Sequence, residues 1–525
     1  MKTYYKFLLV ILTGIMVASC QDMDELNVSP NSPSNVSPAT LLTGSQKKML
    51  DYIYDNWFSG RQALPYAQYW GQRNYTEEDR YQIRESVNNS YFNHFYVVAA
   101  NYKLIEDLNT NPETKALASA YGKNENQIAV AKILKVWLMQ VVADTWGSVP
   151  YTEAFKLGEG KTYPKYDDLN QLYPALIAEL TAAINMIDAT EPAFTEGDQI
   201  YGGDAAMWKK FGNSLKARMA LRLSKVDTNW KTWIAEAVAS GVFTSNDDQA
   251  LFQYSSAAPN ESYFYRGFFV DRRNDFSITK PFVDLLKGQR DTLNNKQHPW
   301  EGTVDPRLAI YTPAVGGNYI GLPYGIPSSS MTTPIRNASP SWYANPPAIL
   351  AKDFSVPLMT YAELCFILSE YNNFDKTWYE KGIQASMEHW AALGGVSVAQ
   401  ATIDSYIAKV NGTVNAETVA TQKYIHLYMQ GTEAWSEYRR TGYPKTLLKP
   451  GEKSYRAGTT DLLFTPLSDT KGDLPARVKY PTNESSLNPD GFNAAVAKLT
   501  GADNNYHSKM YWDVRSSANP NPVNK

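Results

Sequence analysis

Cysteine is almost missing from this 525-residue chain, which has two, Cys20 and Cys365. One stands near the N-terminus and the other inside an apolar helical pattern, so no intramolecular disulfide framework holds the fold and stability must come from packing. Histidine is scarce too. The five, His94, His298, His389, His426 and His507, include no pair four residues apart, the spacing that sets two metal ligands on one helical face. Charge of one sign is also lacking. Fifty Lys and Arg against 53 Asp and Glu leave a net charge of −3 with no long block of either sign. A nucleic-acid surface needs a basic stripe, so DNA and RNA are not expected as partners. Motifs of catalysis are missing as well. "GEGKT" (Gly158 to Thr162) has Phe155 where a phosphate loop needs its first glycine. No Gly-x-Ser-x-Gly elbow occurs, and "NPDGF" (Asn488 to Phe492) lacks the spaced acids of a calcium loop. Neither a metal nor a cofactor is expected.

What is present begins with an export signal. Lys2 and Lys6 precede an uncharged stretch, Phe7 to Val17, and then Ala18, Ser19 and Cys20. The apolar stretch is well short of the roughly 20 residues that span a bilayer as a helix. A cysteine directly after small residues follows the pattern of a bacterial lipoprotein box. The expectation is a signal peptide over 1–19 and a lipidated Cys20 as the first mature residue, tethered to a membrane by acyl chains. Residues 20–43, rich in Asp, Asn, Ser and Pro ("NVSPNSPSNVSP"), read as a flexible tether. Residues 44–525 read as the folded body.

Helical periodicity dominates that body. In "NQIAVAKILKVWLMQVVADTWG", Ile128, Ala131, Leu134, Leu138 and Val141 make one apolar face and Val130, Ile133 and Trp137 a second. A helix of that kind is packed on two sides. In "GDAAMWKKFGNSLKARMALRLSKV", Asp204 can cap the start, and Trp208, Phe211, Leu215, Met219 and Leu223 form a buried stripe. Its lysines and arginines read as a solvated face. "TYAELCFILSEY" opens with Thr360 and Glu363, the spacing of a capping box, and pairs with "WYEKGIQASMEHWAALGG" as two antiparallel helices. Successive helix pairs without a clean repeat suggest a mostly α fold of tetratricopeptide-like pairs.

From about 252 to 356 the pattern changes to Pro, Gly, Asn, Ser and aromatics, as in "GGNYIGLPYGIPSSSMTTPIRNASPSWYANPP", through which no helix is expected to run. A loop-rich region this long tends to carry function. Tyrosine (36) outnumbers phenylalanine (19), and Trp adds 13, so many rings carry a polar tip. In "YAQYWGQRNYTEEDRY", Trp70, Tyr75 and Tyr81 offer flat faces, and Gln72, Asn74 and Arg80 can satisfy hydroxyls or carbonyls. Tyr263, Tyr265, Tyr319, Tyr324, Trp342 and Tyr343 offer a second wall. The expected ligand-binding set is Trp70, Asn74, Tyr75, Arg80, Tyr81, Tyr319, Tyr324, Trp342 and Tyr343. A glycosidase needs two facing carboxylates. Glu363 and Glu370 share a helical face, but Glu363 is accounted for by capping, and no catalytic residue is assigned.

Along the whole chain, "LNVSPNSP", "DTWGSVPYTEAF", "WKKFGNSLKARMALRLS", "PLMTYAELCFILSE", "YEKGIQASMEHW", "GTEAWSEYRRTGYPKTL", "PARVKYPTNESSLN" and "KMYWDV" follow in order. In these stretches the chain resembles the SusD/RagB family of nutrient-binding outer-membrane lipoproteins, in its SusD-like branch typical of Bacteroidetes. The resemblance implies a mostly α-helical body with tetratricopeptide-like pairs and a loop-rich ligand site. It implies a SusC-like TonB-dependent barrel as partner, over which the lipoprotein acts as a lid for an oligosaccharide or a peptide. Asp22, Asp24 and Glu25 resemble the acidic signal that sends such lipoproteins to the cell surface. It carries no binding residue over by position.

Overall fold

Ser37 and Pro38 start the first helix, because the serine hydroxyl accepts from the Thr40 amide at 3.1 Å and a proline at the first helical position loses no hydrogen bond. The computed structural model describes residues 36–515. Cys20, the signal segment and the tether as far as residue 35 lie outside the described residues. Helix α1 (Pro38–Ile53) buries Leu42, Met49 and Leu50. Apolar side chains follow the cap at once, so a packed helix already covers the residues just before 44.

Helices α2 (Glu85–Thr110), α3 (Asn124–Trp146), α4 (Leu169–Met186), α5 (Ala205–Arg222) and α6 (Trp230–Ser240) follow, and each packs on the one before it. This is the expected succession of pairs. Helix α3 is buried on both of its apolar faces, and it ends at Gly147, whose φ of +96° suits glycine. Asp204 caps α5 by accepting from the amides of Ala206 (2.9 Å) and Met207 (3.1 Å). Trp208, Phe211, Leu215, Met219 and Leu223 are all fully buried, as the periodicity predicts.

The strands that position the site are short: β1 (Trp70–Gln72), β2 (Val149–Pro150), β3 (Tyr166–Asp167), β4 (Ala250–Gln253), β5 (Phe276–Ile278) and β6 (Ser355–Met359). They pair antiparallel, β1 with β5, β2 with β3 and β4 with β6. Two of these pairs tie the loop-rich region to the body. Among the short helices of that region are α7 (Lys280–Leu286) and α8 (Thr333–Ala338), each with a proline in its first turn. Helix α8 lies within the stretch where the composition predicts none, because Pro334 falls where its missing N–H costs nothing.

Helices α9 (Tyr361–Tyr371), α10 (Lys376–Leu393), α11 (Gln400–Val410), α12 (Ala416–His426) and α13 (Gly431–Thr441) complete the main helical succession. Helix α9 packs on α10 as expected, α12 lies against both, and α13 returns to α3. The approach of α13 is close: a Cβ on Gly431 would stand 2.6 Å from the Ala63 carbonyl carbon.

The polar face of α5 departs from expectation. Lys216, Arg218 and Arg222 are 3%, 4% and 1% exposed. Each meets an acid on another helix. Lys216 reaches Glu236 of α6 at 2.6 Å, and Arg218 makes a two-pronged contact with Glu363 of α9 at 2.8 and 2.6 Å. Arg222 reaches Glu433 (2.6 Å) and Glu437 (2.7 Å) of α13. Lys423 of α12 stands 3.2 Å from Glu437, and Arg440 bridges Glu370 (2.7 Å) and Glu437 (2.9 Å). Burial opposes ionisation of Glu437, but Arg440, Lys423 and Arg222 hold its carboxyl well below the usual range. The capping box at Thr360 is half made: the hydroxyl accepts from the Glu363 amide, while the Glu363 carboxylate turns to Arg218. Bidentate pairing of this kind fixes geometry as well as charge.

Candidate functional site

Trp70 shows how the loop-rich region is attached. Its ring lies 5.1 Å from Phe264, 5.3 Å from Phe276 and 5.1 Å from Trp342, and its Nε1 donates to the Tyr428 hydroxyl at 3.2 Å. Both tryptophans are fully buried. The sequence suggests that they offer faces to a ligand, but rings at these distances occupy those faces. Tyr81 and Tyr324 are fully buried as well. Both stand edge-on to Phe464, at 5.3 and 5.2 Å, and the Tyr324 hydroxyl donates to the Pro65 carbonyl at 2.8 Å. These four residues are core. The physical reason is shared: each has aromatic partners far away in sequence that close over it.

Arg80 is half-buried and committed, its Nε donating to the Thr465 carbonyl at 2.6 Å. Tyr319 is half-buried, and its carbonyl accepts from the Lys287 ammonium at 3.3 Å. Asn74 is half-buried beside Tyr75, which is 53% exposed. That loop is held from below, where the Thr76 and Ser328 hydroxyls lie 3.1 Å apart and Ser328 donates to Glu77 at 3.0 Å. Tyr343 is 46% exposed.

Tyr343 does not stand alone. Its ring stacks on Phe269 with centroids 5.7 Å apart and planes 26° from parallel, and Phe269 lies 5.2 Å from Tyr265. The three rings form a strip that is partly open to solvent. The Lys352 ammonium lies 5.4 Å from the Tyr265 ring centroid, within cation–π range. Beside the strip, residues flanking Tyr343 line a cleft of about 290 Å³, with Arg73, Asn337, Ser341 and Asn345 in its wall. The Arg73 guanidinium is tied to the Ser339 hydroxyl and the Pro340 carbonyl, both at 2.9 Å, and Asn274 donates to Ser341 at 2.9 Å. Flat rings next to fixed amides and hydroxyls can cover the CH face of a sugar and meet its hydroxyls. Phe269 is absent from the set expected from the sequence, although its spacing of four from Tyr265 is the helical spacing that brings two rings together.

The acids on α9 have no comparable freedom. Glu363 and Glu370 are each held by a buried arginine, Arg218 and Arg440.

Residues 30–481 match the SusD-like family, described as starch-binding and associating with outer membrane. The chain belongs to the SusD-like family. No curated protein matches it. Among solved structures it is similar to a SusD homologue from Parabacteroides distasonis, with 21% identity, a TM-score of 0.74, and coverage of 91% of this chain and 98% of the other. A chitin-binding SusD homologue from Flavobacterium johnsoniae is 23% identical, with a TM-score of 0.68 and coverage of 91% and 99%. A further chitin-binding protein is 24% identical, with a TM-score of 0.71 and coverage of 91% and 100%.

The mostly α SusD-like fold brings the recognisable stretches of the sequence together. Three of them meet around the end of α3. Arg439 donates to the Asp144 carbonyl (2.7 Å), Arg477 to the Trp146 carbonyl (2.7 Å), and the Val478 amide to the Thr145 carbonyl (2.8 Å). Trp146 and Trp435 are core. Arg439 lies 3.5 Å from the Trp435 ring centroid, and burial pulls its pKa down to about 9. Among the described residues, no helix is long and apolar enough to cross a membrane.

Proposed function

We propose that this SusD-like protein captures a neutral oligosaccharide on the strip formed by Tyr265, Phe269 and Tyr343, with Tyr75 and the neighbouring cleft contributing. The exposed stack of Phe269 and Tyr343 carries the reading, because partly open stacked rings beside fixed polar groups suit a sugar's two kinds of surface. The starch-binding description of the family and the chitin-binding names of two similar structures favour an uncharged glycan. In this reading Cys20 carries the lipid that anchors the protein to the outer membrane, facing the cell surface. A SusC-like TonB-dependent barrel lies beneath, and the protein acts as its lid. It binds and does not cut.

Calorimetric titration with maltotriose, chitotriose and short peptides tests this. Saturable binding of a trisaccharide without product release is expected, with affinity lowered about tenfold in Tyr343→Ala, consistent with the loss of one stacked contact of roughly 0.5–1.5 kcal/mol. Peptide binding with every glycan silent would instead assign a peptide lid. Released sugar would make the protein a hydrolase.

A further inference from the structure

A second and larger cleft, about 720 Å³, opens between α2, the loop joining β2 to β3, and residues 483–488. No residue of 252–356 lines it, so it is separate from the aromatic strip. Its size lies within the range of small-molecule sites, roughly 300–1,000 Å³.

The wall is built of carboxamides. Asn89 and Asn93 stand one turn apart on α2, and Asn483 lines the cleft opposite them, its backbone N–H donating to the Asn89 side-chain oxygen at 3.3 Å. Glu484 adds a carboxylate, one oxygen of which accepts from the Tyr166 hydroxyl at 2.6 Å. The floor is aromatic. Phe155 is held at φ +62°, a backbone conformation uncommon for a bulky residue, and its ring lies 6.0 Å from that of Tyr96, with planes 31° apart. Tyr96 is itself fixed by donating to the Pro150 carbonyl at 2.6 Å. Among the described residues, neither lysine nor arginine lines the cleft.

Each of these features narrows the ligand. A carboxamide carries a donor and an acceptor side by side, which matches neighbouring sugar hydroxyls that each do both. The missing cations disfavour an acidic sugar or a phosphate. An extended peptide would want an open sheet edge, and the strands here are two residues long and already paired with each other.

We propose that this cleft is a second carbohydrate site, which takes a short neutral oligosaccharide on Asn89, Asn93, Asn483 and Glu484 with a ring face against Phe155. It stands independently of the aromatic strip. The experiment is a calorimetric titration of the whole protein with cellotriose, maltotriose and chitotriose. It is repeated on Asn89→Ala/Asn93→Ala, on Asn93→Trp, which fills the cleft from an exposed helix position, and on Tyr343→Ala. At least one trisaccharide should bind a site that weakens tenfold or more in both cleft variants and is unchanged in Tyr343→Ala. If the double variant loses its helical circular dichroism, Asn93→Trp decides. Sensitivity to Tyr343→Ala alone supports the aromatic strip and overturns the cleft; sensitivity to the cleft variants alone does the reverse. No binding of any trisaccharide overturns both. Binding of N-acetyl-trialanine amide that Asn93→Trp blocks, with all three sugars silent, would assign the cleft to peptides and overturn the proposal.

Discussion

Where α5, α9, α12 and α13 meet, the interior holds arginines and a lysine with their carboxylates; where residues 252–356 meet β1, it is dominated by rings around Trp70. In sequence the two regions suggest the opposite arrangement. The basic residues of α5 look like a solvated face, and the tryptophans near the loops look like a binding platform. The difference teaches that residue type alone does not decide burial. A cation goes inside when an acid from another helix meets it in a good geometry, and a ring goes inside when other rings close over it.

The largest effect should come from breaking the charged side of that comparison. Arg222→Ala leaves Glu433 and Glu437 short of their partner and should cost roughly 3–5 kcal/mol, read as a lowered urea midpoint. Lys209→Ala, on the same helix but half-buried, should change stability by no more than about 0.5 kcal/mol. On the aromatic side, Trp70→Ala should cost roughly 3–5 kcal/mol through the cavity it leaves. Any ligand affinity it loses would then follow unfolding of the loop-rich region, and urea midpoints measured beside affinity separate the two causes.

A smaller effect sharpens the comparison through pH. His389 is buried, its ring nitrogens meet no hydrogen-bond partner among the described residues, its ring lies 5.5 Å from that of His426, and burial lowers its pKa to about 4. In the unfolded chain it titrates near 6.5, so its contribution to stability is fully present above that pH and is lost as pH falls through about 4. The loss is on the order of 3 kcal/mol. Urea midpoints of the wild type and His389→Phe should lie close together at pH 7.5. At pH 5 the variant should retain more of its stability. Equal slopes for the two would sink this account. The smallest effect belongs to Tyr343→Ala, which should leave the urea midpoint within about 0.5 kcal/mol of wild type because the ring is half exposed.

Local signals were legible in the sequence and remote ones were not. Asp204 and Gly147 mark helix ends through their own chemistry, and the apolar stripe of α5 is a matter of spacing. Nothing local distinguishes Arg218 from a surface arginine, since Glu363 lies 145 residues away, and Glu437 lies 215 residues from Arg222. Trp70 has the same difficulty, with every ring that covers it lying beyond residue 260. Within the strip, Tyr265 and Phe269 could be linked by spacing, but Tyr343 joins them only through the fold.

The rings around Trp70 also bear on how such a protein changes over generations. Trp70, Phe264, Phe268, Phe276 and Trp342 fasten the loop-rich region from beneath, and the strip above shares none of these side chains. Selection can therefore exchange Tyr265, Phe269 or Tyr343 for other residues while the fastening is inherited intact.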